Sequence, residues 1–374
     1  MKKILFLIHD LGHGGAEKVL VNLVNNMDSE QFEIHVTALF GGGVNEQFLA
    51  PHVHYRAIYS KTMPGNSHLM KLLTPGQLHR MYIREHYDIE VSYLEGPCAR
   101  IISGCTDPDT KKVCWIHIEQ RTQKRAAGSF RSHREAMDCY GRFDRIICVS
   151  DTVRKDFLGL LPVDVPTGVL YNTNESAKIM ALSGESVEGG LFSDREIRLV
   201  GVGKLLKSKG FHRMLPIVQK LRREGHPVHL YILGIGPMEE ELKQLSAELG
   251  IEDALTLLGY QTNPYKYVAK CDLFVCASFA EGFSTAATEA LIVGTPVCTV
   301  EVSGMKEMLG ENNEWGIVTE NDENALYQGI KRLLDEPSLL AHYKKQAVER
   351  GKTFSTENTV NAVQSMFLDE RKDR

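Results

Sequence analysis

No stretch of this 374-residue chain reaches the roughly 20 consecutive apolar residues that a membrane-crossing helix needs. Nor does it hold a CxxC pair or a histidine cluster at zinc-finger spacing, although Cys98, Cys105, Cys114, Cys139, Cys148, Cys271, Cys276 and Cys298 are scattered along it. In their apolar contexts these are expected as reduced core residues of a cytosolic protein. A basic excess is missing too. The 43 Lys and Arg against 48 Asp and Glu leave a formal charge of -5, which argues against nucleic acid as a partner, because phosphate binding rests on a basic surface. The opening "MKKILFLIHD" lacks a leader's length and its small-residue cleavage pattern, so "ILFLI" is read as a first strand.

What is present is a 43% hydrophobic globular chain of two-domain length with one repeated rhythm. Short Val, Ile and Leu runs ("KKILFLI", "FEIHVTALF", "DIEVSYL", "KKVCWIHI", "RIICVS", "TGVLYN") alternate with helical patterns such as "AEKVLVNLVNNM" and "DTVRKDFLGLL". Strand and helix in alternation predict a parallel sheet covered on both faces. The rhythm lapses after Asn172 into the polar "TNESAKIMALSGESVEGGLFSDRE", the candidate linker, and restarts at "IRLVGVGKL". The expected division is a domain over 1–172, a second over 173–345, and a helical tail over 346–374 that crosses back to the first. Both domains are expected as Rossmann-like, doubly wound α/β units facing a central cleft.

Ligands of such sheets sit beyond the carboxyl ends of the strands, and three loops have the residues for one. "HDLGHGGAEKVL" places Gly12, Gly14 and Gly15 between a strand and a helix, where glycine permits positive φ or close backbone approach and the helix N-terminus favours an anion. Its GxGG spacing is not the dinucleotide fingerprint, and the plainer reading is a tight turn. "GVGKLLKSKGFHRML" sets Lys204 and Lys209 about a strand-to-helix turn, where ammonium groups can neutralise a diphosphate; Lys207 reads as solvated. "SFAEGFSTAATEALIVGTPV" holds Glu281 and Glu289 in an apolar setting, with Ser284 the expected N-cap of a helix. Buried carboxylates need partners, and ligand hydroxyls are one source.

These segments, with "VSDTVRKDF" and "LGIGPMEEEL", resemble the retaining GT-B glycosyltransferases of family four from Lys3 to about Tyr343, the E-x7-E segment being the specific part. The resemblance implies that Glu281 faces the donor sugar and Glu289 the ribose hydroxyls of a nucleotide. It implies further that the backbone of Gly282, Phe283, Ser284 and Thr285 lies against sugar and diphosphate, that Lys204 and Lys209 grip the diphosphate, that Gly14 and Gly15 form a loop closing over it, and that His117 is the active-site histidine. Lys204 departs from the arginine usual there. Glu281, His117 and Lys209 are thus the expected catalytic group, and Glu281 as a covalent nucleophile is the lesser alternative. The implied reaction moves a hexosyl unit from a UDP-sugar to a hydroxyl with retained configuration, with no metal, NAD or pyridoxal phosphate. Asp107-Pro108-Asp109 spells DxD, but in a turn-like setting.

The acceptor side is marked by Arg121, Lys124, Arg125, Arg131 and Arg134, a run of cations with no acid before Glu135. It is read either as a contact with anionic membrane and a lipid-linked acceptor or as a solvated face. A cytoplasmic enzyme, at the inner membrane face, building a cell-surface polysaccharide or lipid-linked oligosaccharide fits the first. A GT-B sugar-nucleotide epimerase and a non-catalytic GT-B binding subunit are the alternatives.

Overall fold

The computed structural model describes residues 1–12, 14–61 and 70–369. The chain forms two compact units, Met1–Asn174 with Thr356–Arg374, and Glu175–Ser355. The first unit is built on a sheet of strands β1 (Lys2–Ile8), β2 (Phe32–Phe40), β3 (His54–Tyr59), β4 (Ile89–Ser92), β5 (Lys111–Ile116), β6 (Arg145–Cys148) and β7 (Thr167–Val169) in the order β3-β2-β1-β4-β5-β6-β7. Every pairing in it is parallel. β1 is an interior strand, and Ile4 to Ile8 are wholly buried, as a strand covered on both faces requires. Helix Gly15–Asn26 then buries every residue from Val19 to Val24, Asn22 among them donating to the Thr173 carbonyl at 3.1 Å.

Helix Thr356–Leu368 belongs to this unit although it follows the second in sequence. Its Phe367 ring lies 6.0 Å from Phe6 and 6.4 Å from Phe32, edge-on to both. Gln364 accepts a 2.6 Å hydrogen bond from the Asp28 amide, and Lys111 Nζ donates to the Met366 carbonyl at 3.2 Å.

The second unit carries β8 (Ile197–Val202), β9 (Val228–Leu233), β10 (Leu255–Gly259), β11 (Leu273–Cys276), β12 (Val297–Val300) and β13 (Ile317–Thr319), in the order β10-β9-β8-β11-β12-β13. Its pairings are parallel throughout. Leu199, Leu230, Ile232, Leu273 and Val275 from the sheet meet Leu215, Val218 and Leu221 of helix Phe211–Arg223 in one core. Two α/β units on parallel sheets are what the strand-helix rhythm predicts.

Three expectations change. The boundaries fall at 174/175 and 355/356, not 172/173 and 345/346, because residues up to Thr353 continue helix Pro337–Thr353 of the second unit. The stretch read as a linker contains helix Ser176–Ser183, with Ile179 buried. β3 has no counterpart in the sequence reading, its "HYRAIY" being too polar to register as a strand. All eight cysteines are buried and free.

Candidate active site

In the second unit β8 and β11 are hydrogen-bonded neighbours, so the loops leaving their carboxyl ends emerge side by side. The Phe279 amide donates to the Ser208 carbonyl at 2.8 Å and ties the two loops together. Lys209, from the first loop, places Nζ 2.7 Å from Oε1 of Glu281, from the second. Ser278 Oγ donates to the same oxygen at 2.6 Å. The carboxylate is only 11% exposed, and its Oε2 takes no hydrogen bond among the described residues. One oxygen is thus held and the other is available to a ligand hydroxyl, the arrangement a pre-set hydrogen-bond acceptor needs.

Glycine at 210 makes this convergence possible. Its φ of +69° is left-handed, and a Cβ there would sit 2.0 Å from the Ala277 carbonyl oxygen. Arg213, one turn on, donates to that same carbonyl at 3.1 Å and to Asn321 Oδ1 at 2.8 Å, and its guanidinium lies 4.6 Å from the Phe279 ring centre. It braces the loop from behind.

Beyond Gly282 and the buried Phe283, Ser284 is the N-cap of helix Thr285–Ile292, accepting from the Ala287 amide at 3.3 Å. By helix geometry the amides of Thr285 and Ala286 have no intrahelical acceptor, which gives this end a partial positive charge. Glu289, on the second turn, is 8% exposed and accepts a 3.1 Å hydrogen bond from Tyr265. Lys204 is exposed and makes no ion pair among the described residues, so the structure groups Lys209 but not Lys204 with Glu281.

In the first unit His117 follows β5. Its amide donates to Glu95 Oε2 at 3.1 Å, and Gln120 Nε2 donates to Glu95 Oε1 at 3.2 Å. Burial pushes the Glu95 carboxyl above the usual carboxylate range, against these hydrogen bonds. The His117 ring lies 4.8 Å from Tyr93, and its Nε2 is shut from solvent with no partner among the described residues. Burial pushes this imidazole down to about 3, a hydrogen bond to the Tyr93 backbone pulling the other way.

A histidine whose folded pKa lies below its unfolded value, about 6.5, takes up a proton on unfolding. Its contribution to stability is therefore full above about 6.5 and falls as pH drops toward about 3. Denaturant midpoints measured at pH 7.5 and pH 5 are expected to fall further for the wild type than for His117→Asn; equal falls would show that the imidazole carries no such linkage.

Gly14 and Gly15 open helix Gly15–Asn26, but Gly14 has φ -79° and ψ 161°, ordinary extended backbone. The positive φ expected of this loop is absent at Gly12 and Gly14; the missing side chain at 14 instead leaves room for the Glu17 carboxylate, whose Oε2 would lie 1.8 Å from an added Cβ. Asp107 accepts from the Asp109 amide at 3.0 Å in a turn and pairs with His86 at 2.9 Å. Of the basic run, all five cations are exposed. Arg131 donates to the carbonyls of Lys71 and Leu72 at 2.5 and 2.9 Å, and Arg121 reaches Glu119 at 3.4 Å. The sequence reading missed Ser278, Tyr265, Arg213 and Glu95; only the paired carboxylates signalled that such partners must exist.

Residues 185–350 match the family model of glycosyl transferases group 1, and residues 13–173 that of glycosyltransferase family 4. The chain is 29% identical, over 95% of its length and 96% of the relative's, to the N-acetylgalactosamine-N,N'-diacetylbacillosaminyl-diphospho-undecaprenol 4-alpha-N-acetylgalactosaminyltransferase of Campylobacter jejuni. Among solved structures it is similar to Anabaena HepE in complex with UDP, with a TM-score of 0.78 at 18% identity over 98% of this chain and 99% of that one. It is also similar to the lipopolysaccharide outer core galactosyltransferase WaaB, with a TM-score of 0.75 at 16% identity over 99% and 100%. Both sheets therefore carry the family's pattern, and the chain belongs to the group 1 glycosyltransferases of the GT-B fold.

Proposed function

We propose that the protein is a retaining hexosyltransferase, working without a metal ion, that uses a UDP-sugar donor and a lipid-linked or polysaccharide precursor as acceptor. The observation that carries the reading is the Lys209–Glu281–Ser278 cluster at the carboxyl ends of β8 and β11, beside the capped start of helix Thr285–Ile292. Glu281 Oε2 takes a donor-sugar hydroxyl. Lys209, joined by Lys204, and the helix amides behind Gly282, Phe283, Ser284 and Thr285 stabilise the diphosphate as its charge grows. Glu289 accepts from the ribose hydroxyls.

His117, whose ring hydrogen-bonds the Tyr93 backbone and whose Nε2 has no partner among the described residues, meets a sugar hydroxyl through that nitrogen. The acceptor oxygen attacks the anomeric carbon on the face from which the diphosphate leaves; the C–O bond to phosphate breaks, and the acceptor proton passes to a departing phosphate oxygen.

Support for UDP comes from HepE, solved with UDP and with UDP-glucose. The lipid-linked acceptor is supported by the Campylobacter relative, whose acceptor is a diphospho-undecaprenol. The exposed Arg121, Lys124, Arg125, Arg131 and Arg134, with Leu72 76% exposed where Arg131 anchors, suit contact with an anionic cytoplasmic membrane face. No helix of the described residues is long and apolar enough to cross a membrane.

Calorimetry against UDP, GDP, ADP, NAD and common UDP-sugars, with and without EDTA, tests the donor. EDTA-insensitive binding of UDP is expected, and binding of NAD alone would sink the proposal. Glu289→Gln is expected to weaken UDP binding about tenfold to a hundredfold, since hydrogen bonds to a charged acceptor are each worth about 1.5–3 kcal/mol. An unchanged affinity would remove Glu289 from the nucleotide site. A UDP-sugar altered without an acceptor would point to an epimerase instead.

A further inference from the structure

The first unit also holds a convergence of side chains that sugar transfer does not use. Glu90 lies on β4 in the interior of the sheet, opposite Leu5 of β1 and Lys112 of β5, and is 2% exposed. A carboxylate so buried is strongly disfavoured unless it is compensated. The ion pair it makes among the described residues is with His79, whose Nε2 stands 3.0 Å from Oε1 and 2.8 Å from Oε2. Cys105, in the turn after helix Pro97–Ile102, brings a third ligand type to the same point: one ligand atom each of His79, Glu90 and Cys105 lies within 4.8 Å of the others.

We propose that His79, Glu90 and Cys105 form a site for one divalent transition-metal ion, zinc being the best match. The donor set is the argument. Thiolate, imidazole and carboxylate are zinc's three protein ligand types, with bonds of about 2.0–2.3 Å. Ligands on a tetrahedron of that size stand roughly 3.5 Å apart, so small side-chain shifts bring these three into place. Thiolate and carboxylate together cancel the ion's two charges and leave the buried site neutral, with water completing the tetrahedron on the side where His79 is 13% exposed.

The three segments are already braced. Arg100, on helix Pro97–Ile102, donates to the carbonyls of Met70 and Leu73 at 2.7 and 2.8 Å, holding that helix to the stretch that leads into helix Pro75–Tyr82 and His79. The ion would therefore clasp helix Pro75–Tyr82 and the Cys105 turn to the central strand. The other cluster of metal-ligating type among the described residues, Glu33, His35 and His54, suits an ion less well, with His54 exposed and the Lys3 ammonium 3.9 Å from Glu33.

The test is titration of the full chain, stripped with chelator and kept reduced, first with cobalt(II) and then with zinc(II). One cobalt per chain is expected, with a near-ultraviolet thiolate-to-cobalt charge-transfer band that zinc abolishes and a rise in melting temperature with zinc. Cys105→Ser should lose that band, and should weaken zinc binding by at least about tenfold, the loss that removing even an outer partner of a metal site brings. His79→Gln provides the same affinity readout should Cys105→Ser fold poorly, and His54→Gln should change nothing. Absence of the band in the wild type, its persistence in Cys105→Ser, or loss of binding in His54→Gln alone would overturn the assignment.

Discussion

Glu281→Gln is expected to lower turnover about a hundredfold to a thousandfold, the effect of removing one pre-set polar group from a site where charge develops, while UDP affinity stays within a few-fold. The substitution keeps the side chain's volume and removes its charge. Lys209 Nζ then loses the anion held 2.7 Å away, and Ser278 faces a neutral amide in place of a carboxylate. Both changes fall where the proposed site brings sugar to diphosphate, whereas Glu289 and its Tyr265 partner are untouched. Steady-state rates with a UDP-sugar, set beside calorimetric UDP binding, separate the two effects. A turnover within threefold of the wild type would show that Glu281 only positions Lys209 in the resting protein.

Gly210→Ala is expected to cost the second unit about 2–5 kcal/mol of stability and to abolish activity. A left-handed φ costs an L-residue roughly 1–2 kcal/mol, and forcing atoms into a packed site about 1–3 kcal/mol more. At Gly210 both terms apply, because the added Cβ would stand 2.0 Å from the backbone oxygen of Ala277, which cannot rotate away. Relief requires the β8 and β11 loops to part, and with them Lys209 and Glu281. Gly250 isolates the first term: its φ is +65°, but no atom lies within 4 Å of an added Cβ. Chemical denaturation of the two variants should therefore show Gly250→Ala losing roughly 1–2 kcal/mol and Gly210→Ala clearly more. Equal losses would mean that the loops yield without resistance.

The strands at the centres of both sheets were legible because burial on two faces demands unbroken apolar runs such as "KKILFLI" and "LFVCAS". β3 was not, since an edge strand buried on neither side can be as polar as "HYRAIY". Helix Ser176–Ser183 escaped for a related reason, burying one residue, Ile179, while Met180 is 52% exposed. In the site, Glu281, Glu289 and Ser284 stood out through composition and spacing. Lys209 stood out too, but as a diphosphate ligand and not as the partner of Glu281, while Ser278 and Tyr265 gave no signal. Lys209 lies 72 residues from Glu281 and Tyr265 lies 24 from Glu289, and only the parallel strand order, with β8 beside β11, makes the first pair adjacent. At Gly12 and Gly14 the freedom of positive φ goes unused, and the room that Gly14 leaves for the Glu17 carboxylate could not be read from sequence alone. Cys105 read as core, and its neighbours His79 and Glu90, 26 and 15 residues away, offered no spacing to associate with it.

Helix Thr356–Leu368 imposes an order on biosynthesis. The ribosome delivers every residue of the second unit before the helix that covers Phe6 and Phe32 in the first. Glu175–Ser355 is continuous and can close on itself as it emerges, while the earlier-made sheet must keep that apolar surface bare until the helix arrives. The nascent first unit is in that interval a natural client for chaperones, and a stop codon shortly before Thr356 would leave the first unit, rather than the adjacent second, unfinished.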